Sequence, residues 1–179
     1  MRVRKSVRLL ILNDKNETLL SRYEGLDIYE PGFGRLDNHW ETIGGGIDEG
    51  ETLLEAAMRE AYEESGLTAD DINVGPIIWQ GQNEVVYNGK HRTAHHTYML
   101  AHMKREIAAD DIIPQGLTEE ELGFMVGFKW WSADELKITT ENIIPPALRV
   151  ELPKIIKGDI PTSPLTLDMA FGDGTISQA

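Results

Sequence analysis

The sequence predicts an α/β protein of the α+β type, with helices laid over a mixed β-sheet. Segments with strand character outnumber helical ones, and the one strong helix comes mid-chain directly after a run of glycines. Strands and helices also do not alternate in the regular way that a doubly wound parallel sheet requires. At 179 residues the chain suits one domain with a sizeable core, expected over residues 1–158, followed by a tail or arm over 159–179.

Residues 3–13 are rich in Val, Leu and Ile and loosely alternating, which predicts a first strand. Asp14, Lys15 and Asn16 form a turn, and residues 18–23 the returning strand of a hairpin. Residues 24–38 hold Gly25, Pro31, Gly32 and Gly34 and read as a loop, long enough to carry function. Residues 39–43 make a short strand that Gly44, Gly45 and Gly46 break. The strongest helix spans 52–65, where Leu54, Ala57, Met58 and Ala61 fall on one side and Gly66 stands at the C-terminal cap. Strand character returns at 72–80 and 83–87, Asn88-Gly89 is a hairpin turn, and 93–103 is the partner strand. Residues 104–122, polar and acidic with Pro114 and Gly116, read as a second long loop. A strand at 124–131 follows, and the spacing of Ser132 and Glu135 opens a short helix. Residues 145–157 form a last helical region, bent or split at Pro153.

The 17 basic and 30 acidic residues give a net charge of -13. That balance argues against tracking along polymeric nucleic acid, which needs a basic stripe to replace phosphate counterions. It leaves small phosphate substrates open, because carboxylates recruit divalent cations and those cations bind phosphates. Most of the acids are expected simply to solubilise the surface. No apolar run is long enough to span a bilayer, so no membrane partner is expected. The basic start is followed by too short an apolar stretch, without a small-residue cleavage site, for a signal peptide. Cysteine is absent, which removes disulfides, thiolate catalysis and Cys-ligated zinc, and the cytoplasm is the expected compartment.

The chemistry concentrates in residues 45–67, GIDEGETLLEAAMREAYEESGL with its leading Gly45. At about 100° per residue, Glu63 and Glu64 lie about 60° and 40° to either side of Glu60, so all three share one helix face. Like charges this close repel one another. Cations set between them relieve the cost, and all-oxygen donors favour Mg²⁺, Mn²⁺ or Ca²⁺ over zinc or copper. A bare E-x-x-E-E would be read as a solvated acidic face. Here it sits within G-x5-E-x7-R-E-U-x-E-E-x-G-U, U being a bulky apolar residue. All seven fixed identities are present: Gly45, Glu51, Arg59, Glu60, Glu63, Glu64 and Gly66. At background frequencies of about 7% each, chance agreement in one window is on the order of 10⁻⁸. Ala61, small at an apolar position, is a soft departure.

This segment resembles the Nudix box, and the strand before it and the strand-then-helix at 128–136 resemble the flanks of Nudix hydrolases. Many members have Pro just before the glycines, where this chain has Ile43. The resemblance implies a Nudix-type α/β/α sandwich with a mixed β-sheet. It implies a metal-dependent pyrophosphohydrolase that cleaves a nucleoside diphosphate linked to another moiety by water attack at phosphorus. It assigns Glu60, Glu63, Glu64 and the Gly44 carbonyl to metal, with Mg²⁺ as cofactor and Mn²⁺ as substitute. Glu64, Glu63, Arg59 and Glu51 make up the implied catalytic set, Arg59 and Glu51 bracing the acids. Bound metal would activate a water and stabilise the leaving oxygen, and Glu64 or a loop glutamate would take the proton. In some members the extra ligand or base comes from a later loop, where Glu119, Glu120 and Glu121 stand here, with Glu84 behind them.

Beyond the box, Arg35 is a candidate for a phosphate contact, and Trp40 and Phe33, with Tyr29 and Trp79, for stacking on a ring. His95 and His96 lie in a strand and point to opposite faces, so they read as structural. Two other readings of the same fold stay open: a nucleotide-sensing module without turnover, and an isoprenoid-diphosphate isomerase. Intact box acids disfavour the first, and the absence of cysteine the second. The expected partner is a small nucleoside diphosphate derivative, with a homodimer left open.

Overall fold

A computed structural model describes residues 3–31 and 33–169. Its spine is β1 (Arg4–Leu12), which is buried at Val7 and at Leu9, Leu10, Ile11 and Leu12 in succession. Such a run arises when both faces of a strand are covered, which is why its alternation in the sequence looks loose. On one side β1 runs parallel to β7 (Lys90–Met103), from Arg4 opposite Ala94 to Leu12 opposite His102. On the other it holds residues 43–46 through Leu9 N–H to Ile43 O (2.8 Å) and Val7 N–H to Gly45 O (2.9 Å). β7 pairs with β6 (Ile72–Tyr87) across a turn in which Asn88 and Gly89 both take positive φ, 48° and 70°. The two pieces expected for β6 are one strand, its register shifting on either side of Ile77, just after Pro76.

The returning strand β2 (Thr18–Glu24) pairs antiparallel with both β5 (Asn38–Thr42) and β8 (Met125–Trp131). The first long loop is not wholly irregular. Within it β3 (Ile28–Glu30) pairs with Val86 and Tyr87 at the edge of β6, and β4 (Gly34–Arg35) closes a small hairpin onto β3. Pairing with a free edge overrides the glycine and proline signals there. The second long loop contains a single 3₁₀ turn at Ala109–Asp111 and the short helix α2 (Glu119–Leu122), which follows α1 (Leu53–Ser65) in chain order.

Helices cover both faces of the sheet. Val7, Leu9 and Ile11 pack with Leu19, Ile43 and Ala101 against α1. Leu10 and Leu12, with Leu20, Tyr98 and Leu100, meet α3 (Ala133–Ile138) and α4 (Leu148–Ile156) through Leu136, Leu148 and Leu152. This is the expected α/β/α sandwich on a mixed sheet. α4 starts three residues later than residue 145 and runs through Pro153 unbroken.

The segment read as a tail packs back onto the sheet as far as Met169. β9 (Ile143–Ile144) lies beside β5, and β10 (Leu165–Thr166) runs parallel to Trp79 and Gln80. Leu167 and Met169 are buried in the second core, and the Tyr98 hydroxyl donates to Met169 Sδ at 3.8 Å. A β-carbon on Gly81 would lie 2.6 Å from Met169 Cγ, so the missing side chain makes the seat for Met169. Residues 170–179 lie outside the described residues. Among the described residues no helix is long and apolar enough to cross a membrane.

Candidate active site

The helix that carries the acids is fixed at both ends by its own sequence. Thr52 Oγ1 accepts from Glu55 N–H (3.3 Å) while the Glu55 carboxylate accepts from Thr52 N–H (2.8 Å). At the other end Gly66 adopts φ 68° and donates its N–H to Tyr62 O at 2.8 Å. The buried stripe is Ala56, Ala57, Glu60, Ala61 and Ser65. It differs from the expected one: Leu54 points outward, 51% exposed, and Met58 is only partly buried. Three alanines on the inner face let α1 approach β1 closely, and Glu60 is carried inward with them.

The glycine run receives that glutamate. A β-carbon at Gly45 would lie 2.6 Å from both Glu60 carboxylate oxygens. At Gly44 the backbone has φ 138°, and a β-carbon would lie 2.2 Å from Val7 O. Gly44 therefore excludes a side chain, by backbone conformation and by contact with the Val7 carbonyl, whereas a methyl at Gly45 would push the Glu60 carboxylate out of its seat.

Arg59 organises the acids. Its Nε and Nη2 form a bidentate pair with Glu51 (2.8 and 2.9 Å), and Nη2 also donates to Gly46 O (2.7 Å). Nη1 bridges Glu60 (2.8 Å) and Glu63 (3.1 Å). All five donors of the guanidinium are used. These bonds hold the Glu51 carboxyl down at about 2. Glu60 moves the other way, because burial outweighs the Arg59 contact.

Glu64 is held by Gly44 N–H (2.8 Å) and the Tyr23 hydroxyl (3.3 Å). Burial raises its pKa to about 8, against the opposing pull of Arg8 and the Gly44 N–H. Among the described residues no three acids or histidines stand gathered in ligand geometry. Arg59 bridges Glu60 and Glu63, and Glu64 is turned to Gly44. The donors nevertheless suit a hard divalent cation: all are oxygens, and two are carboxylates whose negative charge burial disfavours until a cation neutralises it. The Gly44 carbonyl accepts none of the backbone hydrogen bonds found among the described residues.

Beside the glycines opens a cleft of about 530 Å³. Its floor is a buried polar chain that the sequence reading missed. Arg8 pairs with Glu41 (2.6 Å) and donates to Thr42 O (3.0 Å). His39 lies 3.5 Å from Glu41 and stacks on Tyr23, ring centroids 5.4 Å apart, which returns to Glu64. Burial works against charge on Glu41, but Arg8 and the His39 contact together outweigh it and hold the carboxyl at about 2. An arginine inside the otherwise apolar run of β1 is the signal that could have found this chain, since a charge in a strand covered on both faces needs a partner.

The structure separates the other candidates. Glu120 and Glu121 line the cleft and Glu119 does not. Glu121 is already engaged, its carboxylate accepting from Thr118 N–H and Oγ1 at 2.8 Å each, and among the described residues Glu120 is then the cleft acid without a partner. Trp40, Phe33 and Arg35 are not among the lining residues. In β5 Trp40 alternates with His39 and Glu41, which do line the cleft, so Trp40 points away and packs edge-on against Trp131 at 5.3 Å. Arg35 is exposed and paired with Asp37 (2.9 Å) and Asp27 (3.6 Å), and Phe33 sits in the β3–β4 turn, 43% exposed. Tyr29 is exposed and Trp79 buried in the second core. His95 is exposed, and His96 is buried in the cleft wall, bonded to Ser6 and Asn83.

Comparison with known proteins bears on the family and the fold. Two curated relatives are RNA pyrophosphohydrolases. The one from Bartonella henselae is 35% identical over 76 residues, and the one from Erythrobacter litoralis 33% identical over 105 residues. The matched regions cover 42% and 54% of this chain, and the chain spans 43% and 61% of the relatives' lengths. Among solved structures, a NUDIX-family hydrolase from Clostridium perfringens superposes with a TM-score of 0.60 at 18% identity, covering 87% of this chain and 99% of that one. The MutT protein of Methanosarcina mazei gives 0.58 at 20% identity, covering 88% and 95%. At these identities the structures speak for the fold alone. The family model for the NUDIX domain matches residues 2–149, and the chain belongs to that family.

Proposed function

We propose that this chain is a divalent-metal-dependent pyrophosphohydrolase that cleaves a nucleoside diphosphate linked to another moiety by attack of water at phosphorus. The observation that carries this reading is the placing of three carboxylates at the glycine edge of a cleft, Glu60 against Gly45, Glu64 on the Gly44 N–H, and Glu63 shared with Arg59. Nudix hydrolases generally need divalent metal ions. Mg²⁺ suits an all-oxygen set that leaves coordination sites for water and phosphate, with Mn²⁺ as substitute. When bound, the metal supplies an activated water and neutralises charge on the phosphoryl oxygens.

The chain's own residues do the rest. Glu60 and Glu63 would hold the cation, with the Gly44 carbonyl adding an oxygen, and the Arg59–Glu51 pair fixes the Glu60 rotamer. Glu64, once ionised, is placed to take the water's proton, held in position by the Gly44 N–H and the Tyr23 hydroxyl. Leu26, Ile28 and Phe124 give the cleft an apolar wall for a ring. The cytoplasm is the proposed setting.

One observation favours a second reading of the substrate. Arg4 and Arg92 line the cleft and, among the described residues, neither is paired with a carboxylate; Arg92 lies 4.8 Å over the Tyr87 ring. Two uncommitted guanidinium groups in a chain of net charge -13 suit a substrate with further phosphates, such as the diphosphate at an RNA end, as the relatives' names suggest. The acidic surface opposes travel along a polymer but not capture of its end.

The test is a panel of nucleoside triphosphates, ADP-ribose, dinucleotides, sugar nucleotides and a 5′-triphosphorylated oligonucleotide, with Mg²⁺ and with Mn²⁺. Products are identified by mass after reaction in ¹⁸O water. Metal-dependent release with the label on one product supports the reading. Tight binding without turnover of any member supports a sensing module instead.

A further inference from the structure

The floor of the cleft carries one row of polar side chains that the diphosphate chemistry does not use. Ser6 on β1, His96 on β7 and Asn83 on β6 stand on three successive strands, Ser6 opposite His96 in the parallel ladder. All three line the cleft. Ser6 Oγ lies 2.6 Å from His96 Nδ1, and His96 Nε2 lies 2.9 Å from Asn83 Oδ1. Among the described residues the only other partner of the Ser6 hydroxyl, His95 O, is at 3.5 Å. The short contact is therefore the one that carries the hydroxyl proton, and Nδ1 accepts it. The ring proton is then on Nε2, which must face an acceptor, and Asn83 Oδ1 is that acceptor. Burial holds the ring neutral, lowering its pKa to about 4, so this single tautomer persists at physiological pH. The Asn83 amide is thereby oriented. Its Oδ1 is consumed, and its Nδ2 has no partner among the described residues.

The position of this amide fits a base. From the glycine edge to β6 the sheet crosses three strand spacings, about 14 Å. That is comparable with the reach from a phosphate to the far edge of its own nucleobase. Val85 and Tyr87 follow Asn83 at alternate positions of the same strand and also line the cleft, giving a ring a surface to lie on.

Resting on the hydrolase reading above, we propose that Asn83 selects the substrate's base by donating an amide N–H to the carbonyl at C6 of a purine or C4 of a pyrimidine. Ser6 and His96 act as the positioning residues that keep that donor turned inward. A keto base presents an acceptor to Asn83 Nδ2. An amino base presents a donor there, so two donors face each other and the hydrogen bond to Asn83 is lost. The cleft thus favours the keto class, hypoxanthine, guanine or uracil, over adenine or cytosine.

The experiment uses the full chain with Mg²⁺ and two matched pairs, ITP against ATP and UTP against CTP. Initial rates give kcat/KM for each, and calorimetry with Ca²⁺ in place of Mg²⁺ gives Kd. The expected keto-to-amino preference is about tenfold or more, read in KM and Kd more than in kcat. Asn83→Asp, which offers acceptors only, is expected to reverse the preference, and His96→Phe, which frees the amide to turn, to bring it toward one. A change that merely loosened the fold would lower both members of a pair together and leave the ratio where it was. A wild-type preference for amino bases, equal affinity within both pairs, no measurable binding of any of the four, or a ratio unmoved by Asn83→Asp each overturns the proposal. Binding with the expected ratio but without turnover overturns the hydrolase reading while upholding Asn83.

Discussion

Replacing Glu64 by glutamine removes a charge while keeping the shape and the hydrogen bond to Gly44, and the structure says what that is worth before any metal binds. Burial lifts the Glu64 pKa from 4.5 to about 8. At full weight the shift corresponds to about 5 kcal/mol of differential interaction. Solvent reaching the half-buried carboxyl screens part of this, leaving roughly 2 kcal/mol. Because the folded pKa lies above the unfolded one, the group's contribution is fully present below pH 4.5 and is lost as pH rises through about 8. Metal-free wild type should therefore lose stability across that window, and Glu64→Gln should lose much less. In urea unfolding with EDTA, the variant should be about 2 kcal/mol more stable than wild type at pH 8.5 and nearly equal to it at pH 4.5. Its metal-dependent turnover should meanwhile fall at least a hundredfold. Equal stability at pH 8.5, or parallel pH profiles, would refute the account of Glu64 as a carboxyl strained by burial. Unchanged turnover would refute its role as base.

Three further outcomes follow from the same contacts. Arg59→Lys loses the bidentate grip on Glu51 and the bridge between Glu60 and Glu63. It should cut kcat/KM about 10- to 100-fold in a Mg²⁺ titration while the melting temperature moves little. Gly45→Ala puts a methyl 2.6 Å from the Glu60 oxygens; the concentration of Mg²⁺ needed for half-maximal rate should rise about tenfold or more. Met169→Ala empties a buried seat beside Tyr98 and Gly81. It should cost about 2–5 kcal/mol, lowering the calorimetric Tm by roughly 5–15 °C; an unmoved Tm would show that residues 159–169 do not pack in solution.

What was readable in the sequence and what was not divides along physical lines. The box, the capping residue Ser132, the cap Gly66 and the Asn88-Gly89 turn are local: each needs a particular residue at a particular spacing, and the structure has the two caps and the turn where they were expected. The inner face of α1 was misread because periodicity ranks leucine above alanine. The close approach that seats Glu60 on Gly45 requires small residues there, so Ala56 is buried and Leu54 is not. The cleft was invisible for a different reason. Its floor joins Arg8, Tyr23, His39 and Glu41 from three strands, a pairing set by sheet order and not by spacing along the chain. Trp40 shows how narrow the margin is, since one position along β5 separates the cleft face from the core face.

The same contacts indicate which acid must move for a ligand set to form. Glu60 is wedged against Gly45 and bonded to Arg59, and Glu64 is held by Gly44 and Tyr23. Glu63 has one bond from Arg59, the longer of the two that Nη1 makes, and its side chain is 36% exposed. Rotating Glu63 breaks one partly exposed ion pair, which costs about 0.2–1 kcal/mol, whereas rotating either neighbour would strand a buried carboxylate. Gathering the ligands is therefore expected to proceed by turning Glu63 from Arg59. Glu63→Gln should weaken Mg²⁺ dependence about 10- to 100-fold and leave metal-free stability close to that of wild type. If instead Glu63→Gln left the Mg²⁺ titration unchanged, Glu63 would be part of the fixed scaffold and another acid, Glu120 first, would have to be the mobile one.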